Sequence, residues 1–251
     1  MSTWGSGSSP VADAGVRVDS VACGSPADRA GIRPGDRILS ASGRPVADLL
    51  DLHFLTAGAR FALRWRDASG AERERNFRLA GGALGLFPEA IRVRRCRNRC
   101  IFCFVHQLPK GLRRTLYVKD EDVRLSFLHG QYVTFSDLSV EEIRKILRYR
   151  MSPLYVSIHT TDPELRRRML GNRHSRDVMD TMRRLTRGGI VLHGQIVVCP
   201  GVNDGEGLYR SLRELSVLRP GLRTVAATAA GSPSREIVAS ALYEPGAGAS
   251  G

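Results

Sequence analysis

Three cysteines fall within eight residues, in the run Arg95-Cys-Arg-Asn-Arg-Cys-Ile-Phe-Cys-Phe104. Spaced C-x3-C-x2-C, Cys96, Cys100 and Cys103 are too close for a disulfide framework, and the whole chain has five cysteines. Such a loop is expected to fold around something that thiolates bind, and a soft metal centre is the natural reading. Three ligands rather than four leave a metal position open: a 4Fe–4S cluster held this way has one iron free to bind a small molecule. Zinc is the alternative, since His106 follows three residues after Cys103 and completes a local three-cysteine, one-histidine set. Arg94, Arg95, Arg97 and Arg99 surround the thiols. Positive surroundings favour thiolates over an apolar core of structural cysteines.

The length of 251 residues suits two modest domains or one large one. A hydrophobic share of 42% and a charged share of 25% are those of a water-soluble globular chain. No apolar run reaches the roughly 18 residues of a membrane span. The opening Met-Ser-Thr-Trp-Gly-Ser-Gly-Ser-Ser-Pro has neither the basic start nor the apolar stretch of a secretory signal. It reads as a disordered lead over residues 1–14, and the cytoplasm is the expected compartment for an oxygen-sensitive centre. The net charge of +13 is almost wholly arginine, with lysine only at positions 110, 119 and 145. That balance is compatible with RNA or another polyanion as partner. The arginines are nevertheless spread along the chain without interleaved stacking aromatics, as a GC-rich coding sequence would also produce.

Residues 15–88 read as a first unit. Gly15 to Ala22 alternates like a strand, and Gly24-Ser-Pro-Ala-Asp-Arg-Ala-Gly-Ile32 is a capped short helix ended by Gly31. Arg33-Pro-Gly-Asp-Arg-Ile-Leu39 is a turn feeding a strand. Pro45 to Phe54 reads as a helix with Val46, Leu49, Leu50 and His53 or Phe54 inward. Residues 61–66 and 73–79, joined at Ser69-Gly70, make a hairpin. The segments Gly-Ser-Pro-Ala (24–27), Ala-Gly-Ile (30–32) and Pro-Gly-Asp (34–36), with Gly43 and Val46, resemble a bacterial PDZ domain. That resemblance implies a module that adds an extended peptide, often a protein C-terminus, to a sheet edge. Leu84-Gly85-Leu86-Phe87 resembles the family's carboxylate-binding loop, displaced to the end of the unit as in a circular permutation. A structural domain with no peptide ligand is the rival reading.

From residue 89 strands and helices alternate, the pattern of a parallel α/β sheet. Leu125-Ser-Phe127 and Tyr132-Val-Thr-Phe135 are strand candidates around His129-Gly130. Ser139-Val-Glu-Glu142 is a capping box heading a helix with Val140, Ile143, Ile146 and Leu147 on one face. Leu154 to Ile158 is a buried strand, and Asp162-Pro163 opens a helix that Gly171 closes. A further helix carries Val178, Met179, Met182 and Leu185. A strand at Gln195-Ile-Val-Val198 then leads through Pro200-Gly-Val-Asn-Asp204 into a last helix. Met169, Met179 and Met182 are core filler, and Cys199 is a small buried hydrophobe rather than a ligand.

The runs Arg95 to Gly111, Leu125-Ser-Phe-Leu-His-Gly130, Pro153 to His159, Met169-Leu-Gly-Asn172 and Pro200 to Asp204 resemble the DUF512 group. These are iron–sulfur proteins with an N-terminal PDZ domain and a radical S-adenosylmethionine (SAM) core. The resemblance covers roughly residues 16 to 225. It implies a partial (β/α) barrel over residues 89–226, with a 4Fe–4S cluster on Cys96, Cys100 and Cys103. It also implies SAM at the open iron and an electron donor of flavodoxin or ferredoxin type. Under it, Phe102 lies beside the adenine or packs under the loop. His129-Gly130-Gln131 stands where the superfamily has a Gly-Gly-Glu-like element for the SAM amine, without the carboxylate. Ser157, His159, Gln195 and Asn203 are candidate cofactor contacts at strand ends. His106, Lys110 and Asp120 are candidate proton donors or substrate contacts.

Residues 227–251 read as a low-complexity tail, and the radical SAM core is expected to be truncated near residue 226. Three classes of function follow: a radical SAM enzyme, a PDZ-led scaffold with a structural zinc or cluster site, and an RNA-modifying radical enzyme. The residues do not name the substrate.

Overall fold

A computed structural model describes residues 15–79 and 81–230, and the backbone of residues 236–238. The expected lead over residues 1–14, and the tail apart from its start and residues 236–238, lie outside the described residues. The chain forms two compact units, Met1–Arg92 and Val93–Gly251.

The first unit is an antiparallel sheet with two helices. Its elements are β1 (Val16–Val21), α1 (Pro26–Arg29), β2 (Arg37–Ala41), β3 (Arg44–Pro45), α2 (Leu49–Thr56), β4 (Arg60–Arg66), β5 (Glu72–Arg78) and β6 (Leu86–Pro88). The strands lie in the order β5-β4-β2-β1-β6, with β3 paired to β2. Alternation in β1 and β4 buries Val16, Val18, Phe61, Leu63 and Trp65, and Ile32, Ile38 and Phe77 complete the core. Ser25 caps α1, its hydroxyl accepting from Asp28 N at 3.2 Å, and Pro26 fills the first turn, where no donor is needed. The expected helix at Pro45 starts four residues later. Asp48 accepts from Asp51 N at 3.1 Å and sets the helix start, while Arg44–Pro45 is held to β2. Leu50 and Leu52 therefore face inward and His53 is exposed.

Residues 84–89 belong to this sheet. β6 pairs antiparallel with β1, Ala22 N donates to Gly85 O at 2.8 Å, Ala27 N to Leu84 O at 3.0 Å and Glu89 N to Arg17 O at 2.9 Å. Gly85 has φ +74°, and a Cβ there would stand 2.2 Å from Ser25 Cβ, so only glycine lets the loop close over the α1 cap. A fragment of residues 15–92 is expected to melt in one cooperative transition. Ending it at residue 82 should lower the midpoint by about 5 °C or more, since roughly 1 kcal/mol shifts a domain of this size that far. Equal melting temperatures for the two fragments would show that β6 contributes nothing.

The second unit contains α3 (Phe104–Gln107), a 3-10 turn (Arg114–Tyr117), α4 (Val123–His129), β7 (Tyr132–Val133), α5 (Val140–Tyr149), β8 (Leu154–Ser157), α6 (Pro163–Leu170), α7 (Val178–Arg187), β9 (Leu192–Val198), α8 (Gly205–Ser216), β10 (Leu222–Ala229) and β11 (Glu236–Val238). The sheet order is β11-β10-β9-β8-β7, with β7 to β10 parallel and β11 antiparallel to β10. β10 runs to Ala229, three residues past position 226. The expected capping box is present: Ser139 Oγ accepts from Glu142 N at 3.1 Å, and Glu142 Oε2 accepts from Ser139 N at 2.7 Å.

Leu125–Phe127, expected as a strand, is the middle of α4. Asp122 accepts from Arg124 N at 3.0 Å to start the helix, and Gly130, in the left-handed region at φ +71°, ends it. The alternation of Val123, Leu125 and Phe127 mimics a strand, but the caps at both ends decide. The parallel strands alternate in burial: Leu154, Val156, Leu192, Gly194 and Ile196 are buried, while Tyr155, Ser157, His193, Gln195 and Val197 are half-buried. A parallel sheet covered on both faces reads as a continuous apolar run. Here one face packs into the core and the other lines a cavity.

Candidate functional site

The cysteine loop is held by backbone and amide contacts rather than by its thiols. Cys96 N donates to Lys119 O at 2.9 Å, Arg99 N to Leu170 O at 2.8 Å and Ile101 N to Met169 O at 3.0 Å. Gly171, which closes α6, has φ +56°, and a Cβ there would lie 2.4 Å from Arg99 O. The Met169-Leu-Gly-Asn172 run is thus the seat of the loop. Asn98, buried between the first two cysteines, donates to Thr134 Oγ1 at 3.0 Å and accepts from Asn172 Nδ2 at 2.8 Å, and its carbonyl accepts from Lys119 Nζ at 2.7 Å. Thr134 in turn bonds Glu121 Oε1 through its N–H at 2.7 Å and its hydroxyl at 2.8 Å. Burial raises the Glu121 carboxyl above its usual range.

Arg166 is 2% exposed and spans the ends of β7 and β8. Its guanidinium donates to Thr134 O at 2.6 Å, Ser157 O at 3.2 Å, Ile158 O at 2.9 Å and Ser175 Oγ at 2.9 Å. Burial brings its pKa down to about 10, so it remains a cation at neutral pH. Neither Asn98 nor Arg166 stood out in the sequence, where both sit among many arginines. The available signal was position: Arg166 precedes the core residues Met169 and Leu170 by three and four residues, on the helix face that should be apolar.

A cavity of about 860 Å³ opens at the C-terminal ends of the parallel strands, and Cys96, Cys100 and Cys103 line it. Phe102, Ser157, His159 and Gln195 line it as well. Phe102 and His159 rings meet at 4.4 Å between centroids. His159 has φ +68°, a strained conformation for a residue with a side chain. Asn203 Nδ2 holds its carbonyl at 2.8 Å, and its Nδ1 accepts from Val197 N at 3.3 Å. Burial, then the Arg166 cation, push the His159 pKa down to about 3, so the ring is neutral and its Nε2 carries the hydrogen. Two further cavity residues, Asp120 and Thr228, present buried oxygens, Oδ2 and Oγ1, that have no hydrogen-bond partner among the described residues. Orphaned polar atoms cost free energy when buried, and a bound ligand is one way to satisfy them.

Burial raises the thiol pKa of Cys96 and takes that of Cys100 up to about 12, with the neighbouring cysteines adding to the Cys100 shift. This corrects the expectation that flanking arginines favour thiolates. Arg94 turns to Asp137 and Glu142, at 2.8 and 2.7 Å, and Arg95, Arg97 and Arg99 are exposed. Metal loading must therefore displace protons. No group of three or more His, Cys, Asp or Glu among the described residues is drawn together as one metal ion requires. His106 instead meets Lys119 Nζ at 3.0 Å. The three cysteines line one cavity, and a cubane cluster would take each thiolate on a different iron.

The other expected residues fall elsewhere. His129 and Gly130 end α4 outside the cavity lining, while Gln131 is in it. The residues that follow β7 are Thr134-Phe135-Ser136-Asp137. Asn203 is buried, and its amide is used on Cys199 N at 2.7 Å, His159 O and Val197 O, so it braces the strand ends. Cys199 is buried as expected. Leu84–Phe87 lie in the first unit.

The model of the radical SAM-like domain family matches residues 82–225, and the chain belongs to that family. A PDZ domain model matches residues 17–67. The radical SAM match begins at residue 82, four residues before β6 and within the first unit. Among solved structures, a radical SAM methyltransferase from Sphaerobacter thermophilus aligns at 17% identity over 81% of this chain and 69% of that one, with a TM-score of 0.30. That overlay is too loose to transfer any detail. No curated protein matches the sequence. No helix among the described residues is long and apolar enough to cross a membrane.

Replacing Asn98 by Ala should destabilise the second unit by about 1–3 kcal/mol, because Thr134 and Asn172 lose a shared side-chain partner. It should also speed alkylation of Cys100 in the metal-free protein. Urea unfolding and timed thiol labelling check both, and unchanged labelling would mean that Asn98 does not hold the loop.

Proposed function

We propose that this chain is a radical SAM enzyme whose Cys96, Cys100 and Cys103 hold a 4Fe–4S cluster and whose cavity holds SAM. The observation that carries the reading is the convergence of three thiols and two unpartnered buried oxygens on one cavity at the parallel strand ends. When bound, the cluster and SAM supply a 5′-deoxyadenosyl radical that abstracts hydrogen from a substrate. The protein's share is placement. Phe102 and the neutral His159 offer a ring surface and an N–H donor for the adenosyl moiety, and Ser157 and Gln195 offer polar contacts beside them. Asp137, the carboxylate following β7, is paired with Arg94. Asp120 is the available acceptor for the methionyl amine, and Thr228 a second polar contact. The cavity walls exclude water from a reactive species. An electron donor is required, and the substrate is left open.

The PDZ unit is proposed to bind an extended peptide along β6, the edge strand beside the Leu84–Phe87 loop, where Phe87 is 55% exposed.

Anaerobic reconstitution with iron and sulfide tests the enzyme reading. Alanine at Cys96, Cys100 or Cys103 should abolish the brown absorbance, and Cys199→Ala should keep it. SAM should alter the paramagnetic signal of the reduced protein and yield 5′-deoxyadenosine with dithionite. Stoichiometric zinc, with no such signal, would sink the reading and favour a scaffold. Asp120→Asn should weaken SAM binding by about tenfold or more, the worth of one hydrogen bond to a charged group. Isothermal titration measures this, and an unchanged affinity would remove Asp120 from the site.

A further inference from the structure

A second cleft, of about 750 Å³, lies on another side of the cysteine loop, and arginines dominate its lining. Arg97 and Arg99 come from the loop itself, Arg168 from α6 and Arg173 from the segment after it. All four are exposed. Arg97, Arg99 and Arg168 make no ion pair or side-chain hydrogen bond among the described residues, and Arg173 bonds only the ring of His174, at 3.0 Å. The two carboxylates of the lining are already engaged, Glu164 by Arg167 and Asp137 by Arg94. The cleft is therefore a concentration of exposed positive charge on a well-anchored backbone, with Arg168 also acting at longer range on Asp162.

We propose that this cleft is the docking surface for an acidic electron-transfer protein of flavodoxin or ferredoxin type. The inference rests on the cluster reading above and adds the partner's place. Arg97 and Arg99 alternate with Asn98 between Cys96 and Cys100, so a partner held on them sits one residue along the chain from cluster ligands. One electron leaves the donor's reduced flavin or iron–sulfur centre and the cluster gains it; no bond forms or breaks. Redox encounters of this kind use small surfaces, and complementary charge supplies speed and orientation. RNA is less well served: the lining contains no Phe, Tyr or Trp, and its one ring, His174, is engaged by Arg173 Nε at 3.0 Å. The open, arginine-rich form also suits a broad anionic surface better than one small ion.

The test uses the full chain with Arg168→Glu and Arg173→Glu together, both outside the cysteine loop. Fluorescence anisotropy of a labelled flavodoxin, at about 20 mM salt where screening is weak, should show affinity lowered about tenfold or more relative to the unaltered chain. The salt dependence of binding should flatten. In stopped-flow mixing, cluster reduction by flavodoxin hydroquinone should slow by a similar factor, while reduction by dithionite stays within about twofold. Equal flavodoxin affinity in the two proteins overturns the proposal. So does a single-stranded RNA oligomer, or inorganic phosphate, whose binding is lost in the variant while flavodoxin binding is not. A protein that binds flavodoxin through these arginines yet takes up no cluster would sink the cofactor reading and leave the surface. A protein that loads the cluster and cleaves SAM with dithionite, with flavodoxin reduction unaffected by the charge reversals, would do the reverse.

Discussion

The second unit depends on a buried guanidinium that has no carboxylate in direct contact. Arg166 reaches from α6 to three carbonyls at the ends of β7 and β8, where parallel strands stop and their last acceptors would otherwise face the interior unpaired. A buried cation is costly, and it is tolerable only where its donors meet acceptors in fixed positions. Four such acceptors are supplied here. The planar fork is suited to this in a way a lysine ammonium is not. Thr134, one of the residues it grips, also carries the bonds to Glu121 and Asn98. Strand ends, cysteine loop and the segment before α4 are therefore linked by one polar network.

Above that network the cavity is built from the half-buried face of the sheet. A row of Tyr132, Tyr155 and His193 crosses it, with ring centroids 5.5 and 5.0 Å apart, and His193 continues to Thr224 at 2.8 Å. Burial lowers the His193 pKa, so this row is polar without being charged. The thiols, the Phe102–His159 pair and the two unpartnered oxygens gather at the C-terminal end of the same face. Catalytic groups collect at that end in parallel α/β folds because the loops that carry them emerge there.

Local chemistry was legible in the sequence. The Ser139–Glu142 box, the Asp162-Pro163 start and the Gly-Ser-Pro-Ala and Pro-Gly-Asp turns each act over a few residues, and each appears as read. Leu84–Phe87 was read as a loop, and the strand β6 and its pairing with β1 appear only in three dimensions. The misreadings arose where two signals competed. At Leu125–Phe127 the apolar alternation outweighed the caps Asp122 and Gly130, which make the segment a helix. The charge of the loop arginines was visible, but not that Arg94 is spent on Asp137 and Glu142 while burial governs the thiols. Asn98 and Arg166 depend on partners 36 and 32 residues away at Thr134, a pairing no local pattern carries.

The alternating burial of β9 divides neighbouring positions between two kinds of selection. A Cβ on Gly194 would stand 2.6 Å from Ile158 Cδ1 and force that buried side chain to shift, and Ile196 is fully buried, so both answer to folding. Gln195 and Val197, one residue along, face the cavity and can be exchanged at small cost to the packed side. A gene drifting under mutation could thus alter what the cavity accepts by changing alternate codons of a single strand, while the intervening codons stay constant and keep the protein folded.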